Sequence, residues 1–262
     1  MNSSEAETLF GQMLDGQMSD EDIAAALVEL ADRGESVEEI VGAVRAMRAR
    51  MIAVQAPEGA IDVCGTGGDG QHSVNVSTAV ALVVAACGVP VAKHGNRAAS
   101  SKAGGADTLE ALGLDLAAAS RCAETTLSDL GIAFLFAQAH HPALARIAPI
   151  RRALGRRTIF NLLGPLANPA GVTRQLVGVP SAAQIPVYAE AMDLLGMDRA
   201  MIVSGEEGLD ELSISGPSLI ATLGFNLPSE RVIPESAGLR RYELDDLRGG
   251  DADYNAAALR RL

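Results

Sequence analysis

The first fifty residues carry hydrophobic positions at helical spacing. Ser19 can cap a helix that Gly34 ends, and Ser36 with Glu39 forms a capping box for the next helix. That next helix has an apolar face at Ile40, Val41, Val44 and Met47. The pattern predicts a small all-helical N-terminal domain over residues 1–56.

The pattern changes after Pro57 to short apolar runs that alternate with helix-length segments. Strands are predicted at residues 61–64, 89–92, 133–137, 176–179 and 201–204, and helices at residues 77–87 and 182–195. Such alternation predicts an α/β domain over residues 57–262, with a mostly parallel central sheet flanked by helices. Residues 255–262 begin like a capped helix and stop after two turns, so we expect this domain to be truncated at its C-terminus.

Composition narrows the class of partner. The 262 residues are 48% hydrophobic and carry a net charge of −12, from 21 basic and 33 acidic side chains. An acidic surface repels nucleic acid and anionic membranes, and an aromatic content of 3% without tryptophan leaves few stacking platforms. No apolar run is long enough to span a membrane, and residues 1–5 lack the order of a signal peptide. We therefore expect a cytoplasmic protein without nucleic-acid or membrane partners.

The three cysteines are too few and too widely spaced for a disulfide framework or a zinc motif. Cys64, Cys87 and Cys122 are interpreted as small core residues.

A glycine-rich turn, residues 65–70, follows the first predicted strand. Four glycines in six positions permit positive φ, so that backbone N–H groups can converge on an anion such as phosphate. The same glycines satisfy the dinucleotide-binding pattern, but the acidic residue needed for a ribose is missing, and Lys93 and His94 occupy that region instead. A P-loop is excluded because no Gly-Lys-Ser/Thr follows.

Two further polar segments lie at predicted element ends. Residues 75–78 begin a helix and are interpreted either as an N-cap or as a phosphate or metal site at the helix N-terminus. Residues 93–97 follow the next strand, at the sheet edge where open parallel sheets bind ligands. Only two of the 21 basic residues are lysines, Lys93 and Lys102, which favours an ammonium aimed at phosphate over chance clustering.

Acidic and basic side chains complete the set of candidates. Asp210 and Glu211 follow a predicted strand. They are interpreted either as surface charge or as magnesium ligands beside a phosphate. The adjacent His140 and His141 point apart, so one of them is expected to line a pocket. Arginines at 151, 152, 156 and 157 either lie exposed on a helix or include one that clasps a substrate carboxylate, and the sequence does not choose among them.

Taken in order, these motifs resemble the anthranilate phosphoribosyltransferase family, glycosyltransferase family 3. The segments that carry the resemblance are residues 65–69, 75–78, 93–97, 158–166 and 210–211, with 249–251 and Asn255 near the end. The resemblance implies transfer of phosphoribosyl from 5-phosphoribosyl 1-pyrophosphate (PRPP) to the amine of anthranilate in tryptophan biosynthesis, giving N-(5-phosphoribosyl)anthranilate and pyrophosphate. It also implies a helical domain with a returning segment near 157–170, and a homodimer formed through that domain.

Site residues follow from the resemblance position by position. PRPP contacts are implied for Gly65, Gly68, Asp69, Ser73, Asn75, Val76, Ser77, Thr78, Lys93, His94, Gly95, Asn96, Arg97, Ala98, Ala99, Ser100, Ser101 and Gly105. Anthranilate contacts are implied for Gly65, Asn96, His141 and Arg151, and magnesium ligands, for two ions, are Ser77, Asp210 and Glu211. Lys93, Asp210 and Glu211 are the implied catalytic residues. Gln138 departs from the proline common in relatives, and the family chain continues beyond Leu262.

Two other functions fit parts of the pattern. A nucleoside phosphorylase shares the fold but needs no magnesium pair, so the adjacent carboxylates at 210 and 211 speak against it. A non-catalytic module that binds nucleic acid is disfavoured by the net charge of −12 and the scarcity of aromatic residues.

Overall fold

The N-terminal region is a bundle of three short helices in the computed structural model, which describes residues 1–98, 101–225 and 230–262. The helices are α1 (Ser3–Leu14), α2 (Asp20–Arg33) and α3 (Val37–Arg48). Ser19 caps α2 through the amide of Asp22, and Ser36 with Glu39 forms the capping box predicted for α3. Each cap satisfies backbone donors that the first helical turn leaves free.

The rest of the chain alternates strands and helices. The strands are β1 (Ile61–Gly65), β2 (Val91–Gly95), β3 (Ile132–Phe136), β4 (Arg174–Gly178), β5 (Arg199–Gly205), β6 (Ser218–Leu223) and β7 (Glu230–Val232). The helices are α4 (Val76–Ala86), α5 (Gly105–Ala111), α6 (Leu116–Arg121), α7 (Ala123–Leu130), α8 (Ala137–His140), α9 (Leu144–Leu154), α10 (Phe160–Leu163), α11 (Ile185–Leu194) and α12 (Ala252–Leu259). Short 3₁₀ turns cover Pro165–Ala167, Ala182–Gln184, Pro234–Ala237 and Leu244–Leu247.

A seven-stranded sheet organises the α/β region, in the order β3-β2-β1-β4-β5-β6-β7. The first five strands are parallel, and β6 and β7 add to the edge in antiparallel fashion. Because β1 lies between β2 and β4, the segments that follow β1 and β2 emerge side by side at one edge of the sheet. This is the edge at which α/β folds bind ligands.

One hydrophobic core joins the helical bundle to the sheet. Phe10 of α1 packs edge-to-face on Phe160 of α10, with ring centroids 5.8 Å apart. The same cluster continues through Leu163 and Tyr188 to Ile202 of β5. Residues 159–167 thus return from the α/β region to pack against α1 and α3, beside the cleft described below.

The fold class predicted from the sequence is confirmed, with shifts at the element ends. Each predicted strand overlaps an observed one, displaced by one to three residues, and the helix expected over 182–195 begins with a 3₁₀ turn. The sequence pattern missed β6 and β7, which pair antiparallel at the sheet edge and are at most half-buried along most of their length.

The interpretation of all three cysteines as core residues is wrong for two of them. Cys64 is buried on β1, whereas Cys87 and Cys122 are exposed at helix ends. No helix in the described ranges combines the length and apolar character needed to cross a bilayer.

Candidate active site

A cleft of about 520 Å³ opens at the carboxyl ends of β1 and β2. The glycine-rich turn and residues 93–97 at the end of β2 both line it. Asp210 and Glu211, from the loop after β5, line it as well. The described residues among the PRPP, anthranilate and magnesium candidates all line the cleft: 65, 68, 69, 73, 75–78, 93–98, 101, 105, 141, 151, 210 and 211. Ala99 and Ser100 lie outside the described residues.

The glycine-rich turn needs its glycines for conformation and for space. Gly67, Gly68 and Gly70 all have positive φ, where side chains are strained. Gly65 has an ordinary φ, but a Cβ there would lie 2.3 Å from Asp210 Oδ2. The Gly67 amide donates to that same carboxylate oxygen at 2.7 Å. The turn after β1 and the acidic loop after β5 are therefore built against each other.

Asn75 stands at the N-cap position of α4, yet its side chain caps no helix amide, so the N-cap interpretation is wrong for this side chain. Its carboxamide instead donates to Ala103 O at 3.2 Å and accepts from Thr108 Oγ1 and from Asn255 Nδ2. Asn75 thereby ties the start of α4 to α5 and α12. The start of α4 lines the cleft, although the amides of Val76 and Thr78 already donate to Val74 O and Asn75 O.

Lys93 and His94 end β2 in a buried position. The Lys93 Nζ donates to His94 O at 3.1 Å, and Lys93 is 7% exposed. The His94 amide donates to Oδ1 of the fully buried Asp62 on β1. Asn168 completes the junction by donating from Nδ2 to Asp62 Oδ2 and to Ala92 O, both at 2.8 Å. The positive charge of Lys93 opposes the rise that burial causes in the pKa of Asp62 and in the pKa of Glu211.

Asp107 on α5 organises the loop that follows β2. Its Oδ2 accepts from the amides of Ala98 and Gly104, and its Oδ1 accepts from Arg97. Arg97 also pairs with Glu110, so the guanidinium is directed towards α5 and holds the loop. A Cβ at Gly104 would lie 2.5 Å from the Ala98 nitrogen, so the loop can close this tightly only with glycine there.

Three carboxylates gather at the cleft. Burial, together with the negative charges of Asp69 and Glu211, raises the pKa of Asp210 well above its usual range. Burial also raises the pKa of Glu211. The hydrogen bond that Ser77 Oγ donates to Glu211 Oε1 at 2.6 Å acts in the opposite direction and only partly offsets this rise. One oxygen of Asp69 is buried with no hydrogen-bond partner. Desolvated like charges of this kind are stabilised by a cation.

The donor set fits a hard divalent cation such as Mg²⁺, because it consists of carboxylate and hydroxyl oxygens. Within the residues that the structure describes, no three His, Cys, Asp or Glu side chains are grouped to hold a metal ion by themselves. Ligand oxygens and water would have to complete the coordination, as is typical of magnesium bound with phosphates.

Arg151 lies on the opposite wall of the cleft, on α9. Its guanidinium stacks over the Phe160 ring at 5.5 Å and lies 3.4 Å from Asn161 Oδ1. Burial lowers the pKa of Arg151, and none of the ion pairs among the described residues includes it. A half-buried arginine without an acidic partner is suited to clasp a carboxylate from a ligand.

Two histidines beside Arg151 are held neutral. Their rings lie 5.3 Å apart, and each is anchored by a carbonyl of the returning segment: His94 Nδ1 to Gly164 O at 3.0 Å and His141 Nε2 to Ala167 O at 2.9 Å. Burial lowers the pKa of His94 to about 3 and that of His141 to about 4. As expected, one member of the His140–His141 pair lines the pocket, because His140 turns away to Ile52 O.

Some side chains that shape the cleft were not identified from the sequence. Asp62 and Asn168 join β1 to β2, and an acid in an otherwise apolar predicted strand was the available signal for Asp62. Arg157 contacts the glycine-rich turn, but the sequence left it among several arginines. Lys102, in contrast, is exposed and does not line the cleft, so the argument from clustered lysines applies to Lys93 alone.

Comparison with known proteins agrees with this architecture. Residues 57–262 match the family model described as "Glycosyl transferase family, a/b domain", and residues 1–51 match "Glycosyl transferase family, helical bundle domain". The chain is 62% identical over 263 residues to the anthranilate phosphoribosyltransferase of Novosphingobium aromaticivorans, covering all of this chain and 80% of the relative.

Solved structures of the same enzyme are also similar. The anthranilate phosphoribosyltransferase of Thermus thermophilus superposes with a TM-score of 0.94 at 44% identity, over 100% of this chain and 78% of that one. The enzyme of Saccharomyces cerevisiae in complex with PRPP and Mg gives a TM-score of 0.90 at 29% identity, over 99% and 76%. The helical bundle and α/β domain are thus those of a glycosyl transferase. Within that class, the chain belongs to the anthranilate phosphoribosyltransferase family.

Proposed function

We propose that this chain transfers the phosphoribosyl group of PRPP to the amine of anthranilate, giving N-(5-phosphoribosyl)anthranilate and pyrophosphate in tryptophan biosynthesis. The observation that carries the proposal is one cleft that combines a glycine-rich turn, a carboxylate pair and a half-buried arginine with no acidic partner among the described residues. These features match the three charged parts of the reaction: the diphosphate, its cation and the acceptor carboxylate.

The donor occupies the sheet-edge half of the cleft. Gly65, Gly68 and Asp69 of the glycine-rich turn, with residues 73, 75–78, 93–101 and 105, form its binding site, and backbone N–H groups of the turn bind the phosphate oxygens. Lys93 directs its ammonium to the diphosphate from the end of β2. A compact ammonium stabilises the negative charge that develops as pyrophosphate leaves.

Ser77, Asp210 and Glu211 hold magnesium. Asp210 lies against Gly67 of the glycine-rich turn and Glu211 against Ser77 of α4, so the two carboxylates have separate surroundings, which supports two ions. When bound, magnesium neutralises the diphosphate as a Lewis acid. The carboxylates themselves orient the donor by fixing where that positive charge lies.

Anthranilate occupies the half of the cleft between α9 and the returning segment. Arg151 clasps its carboxylate, and Asn96 and His141 orient the ring, with Gly65 leaving room beside it. The aryl amine is neutral near pH 7, so its lone pair attacks the anomeric carbon without a strong general base. The new C–N bond forms as the C–O bond to pyrophosphate breaks, through a transition state like an oxocarbenium ion. Positioning of the two substrates supplies much of the rate.

The test is loss of anthranilate fluorescence when the chain is mixed with anthranilate, PRPP and Mg²⁺. The double variant Asp210→Ala/Glu211→Ala should lose magnesium-dependent turnover, because the cation loses its protein ligands, while its thermal unfolding stays that of a folded protein. Glu206→Ala, which removes an exposed carboxylate of the same loop that pairs with Arg231, is the control. Wild-type turnover in the double variant would refute the assignment of the magnesium ligands.

The chain is further proposed to act as a homodimer through the helical domain, in the cytoplasm. The dimer rests on the resemblance to the family, and the compartment is supported by the unpaired thiols at 64, 87 and 122, which suit a reducing environment. Light scattering coupled to size exclusion should give twice the mass of one chain. A mass of a single chain at micromolar concentration would contradict the dimer.

A further inference from the structure

Arg157 is the basic residue that contacts the backbone of the glycine-rich turn from outside the sheet. Its Nη1 donates to Gly68 O at 3.0 Å and lies 3.4 Å from Gly67 O. Arg157 belongs to the segment between α9 and α10, whereas the turn follows β1. The contact therefore joins two parts of the chain that lie 89 positions apart.

The segment that carries Arg157 is held firmly. The next residue, Thr158, is buried, and its amide donates to Asn161 Oδ1 at 3.0 Å. Two residues later, Phe160 is locked against Phe10 in the core of the helical bundle. Because the backbone of Arg157 is held in this way, its guanidinium can hold the glycine-rich turn in place.

The glycine at position 68 makes room for this guanidinium. A Cβ on Gly68 would lie 2.8 Å from Arg157 Nη1, inside van der Waals contact. Gly67 and Gly70, which share the positive φ of Gly68, have no atom within 4 Å of such a Cβ. Gly68 is thus the glycine whose absent side chain the arginine occupies, an observation independent of the hydrogen bonds.

The charge of Arg157 is not matched by an acid. No ion pair among the described residues includes it, whereas the adjacent Arg156 pairs with Asp32 at 2.6 Å. Carbonyl oxygens hold a guanidinium without neutralising it. A full positive charge therefore remains at the turn that carries the anion site.

We propose that Arg157 is a positioning residue for the donor diphosphate: it fixes the two carbonyls of the glycine-rich turn and so presets the shape in which the turn binds phosphate. The proposal rests on the proposed function for the identity of the donor. It adds a connection from the helical bundle to the donor site, through the segment that Phe160 anchors.

Steady-state kinetics of three variants test this role. Arg157→Gln should raise the KM for PRPP roughly tenfold, which corresponds to about 1.4 kcal/mol, and leave the KM for anthranilate within twofold. Arg157→Lys should fall between wild type and Arg157→Gln, because an ammonium can still donate to one carbonyl. Arg156→Gln, which loses only an exposed ion pair, should match wild type. Because Arg157 is exposed, all three variants should keep the wild-type melting temperature.

Calorimetric titration with inorganic pyrophosphate and Mg²⁺ separates this proposal from the function. Binding weaker by roughly tenfold in Arg157→Gln than in wild type supports the positioning role, even if the wild-type chain shows no turnover. Unchanged pyrophosphate affinity and PRPP KM in Arg157→Gln would overturn it. So would equal rises in both KM values, since these indicate a general structural effect.

Discussion

Arg151 illustrates how far single residues can be interpreted from sequence. The sequence offered four arginines between 151 and 157 as carboxylate partners and did not choose. The fold separates them: Arg151 is half-buried and stacks on Phe160, Arg156 pairs with Asp32, and Arg157 contacts the glycine-rich turn. Burial and pairing depend on which helices meet, which spacing along the chain does not encode.

Arg151→Lys is expected to raise the KM for anthranilate at least tenfold with little change in the KM for PRPP. A lysine cannot make the bidentate contact to a carboxylate, and it loses the stacking on Phe160. Separate titrations of each substrate measure the split. Arg152→Lys, on the exposed side of the same helix, is the control and should match wild type. If neither constant moves in Arg151→Lys, Arg151 does not bind the acceptor.

Asn75 is the opposite case, in which a familiar local pattern was misleading. Asparagine before a helix usually caps it, yet here the carboxamide binds Ala103, Thr108 and Asn255. Two of these partners lie on helices far along the chain. Polar partners that are distant in the sequence compete with the local cap. A pattern of a few neighbouring residues cannot identify them.

At the scale of elements, the sequence predicted the central strands and the order of the cleft motifs. Strands β1 to β5 are mostly buried, and each overlaps a short apolar run that the sequence pattern detected. Strands β6 and β7 are less buried, and they were missed. Hydrophobic pattern therefore detects well-buried strands better than partly exposed ones.

The junction between β1 and β2 shows why the two cleft turns lie together. Asp62 accepts the His94 amide, so a carboxylate takes the place of a backbone acceptor at the ends of these strands. Asn168, from the returning segment, donates to both Asp62 and Ala92 O. The proposed donor site and the wall of the proposed acceptor site are therefore joined by one buried hydrogen-bond network.

At the scale of the whole molecule, acid should destabilise the fold through His94 and His141. The folded pKa values, about 3 and about 4, lie below the ordinary 6.5, so the unfolded chain takes up protons first as the pH falls. The contribution of the two histidines is thus fully present above about pH 7 and declines from pH 6.5 towards pH 4, whereas the raised pKa of Asp210 gives a contribution of the opposite sign, which favours the fold as the pH falls. Each histidine should cost about 2 kcal/mol of unfolding free energy between pH 7.5 and pH 5.

Urea unfolding at several pH values measures this decline. His141→Gln should lose about half of the dependence, because glutamine can still donate to Ala167 O but does not titrate. His72→Asn is the control: His72 is exposed with positive φ, which asparagine tolerates, and this variant should retain the wild-type slope. A wild-type slope in His141→Gln would show that the pKa of His141 is the same in the folded and unfolded states.

The hydrophobic cluster that runs from α1 to β5 has a consequence for engineering. Deletion of residues 1–51 would expose Phe160 and Leu163 to solvent. The newly exposed hydrophobic surface would lie next to Arg151 and Arg157. Grafting a foreign bundle in its place would have to reproduce the knob made by Phe10. The N-terminal helices are therefore an integral part of the enzyme's scaffold and not an interchangeable module.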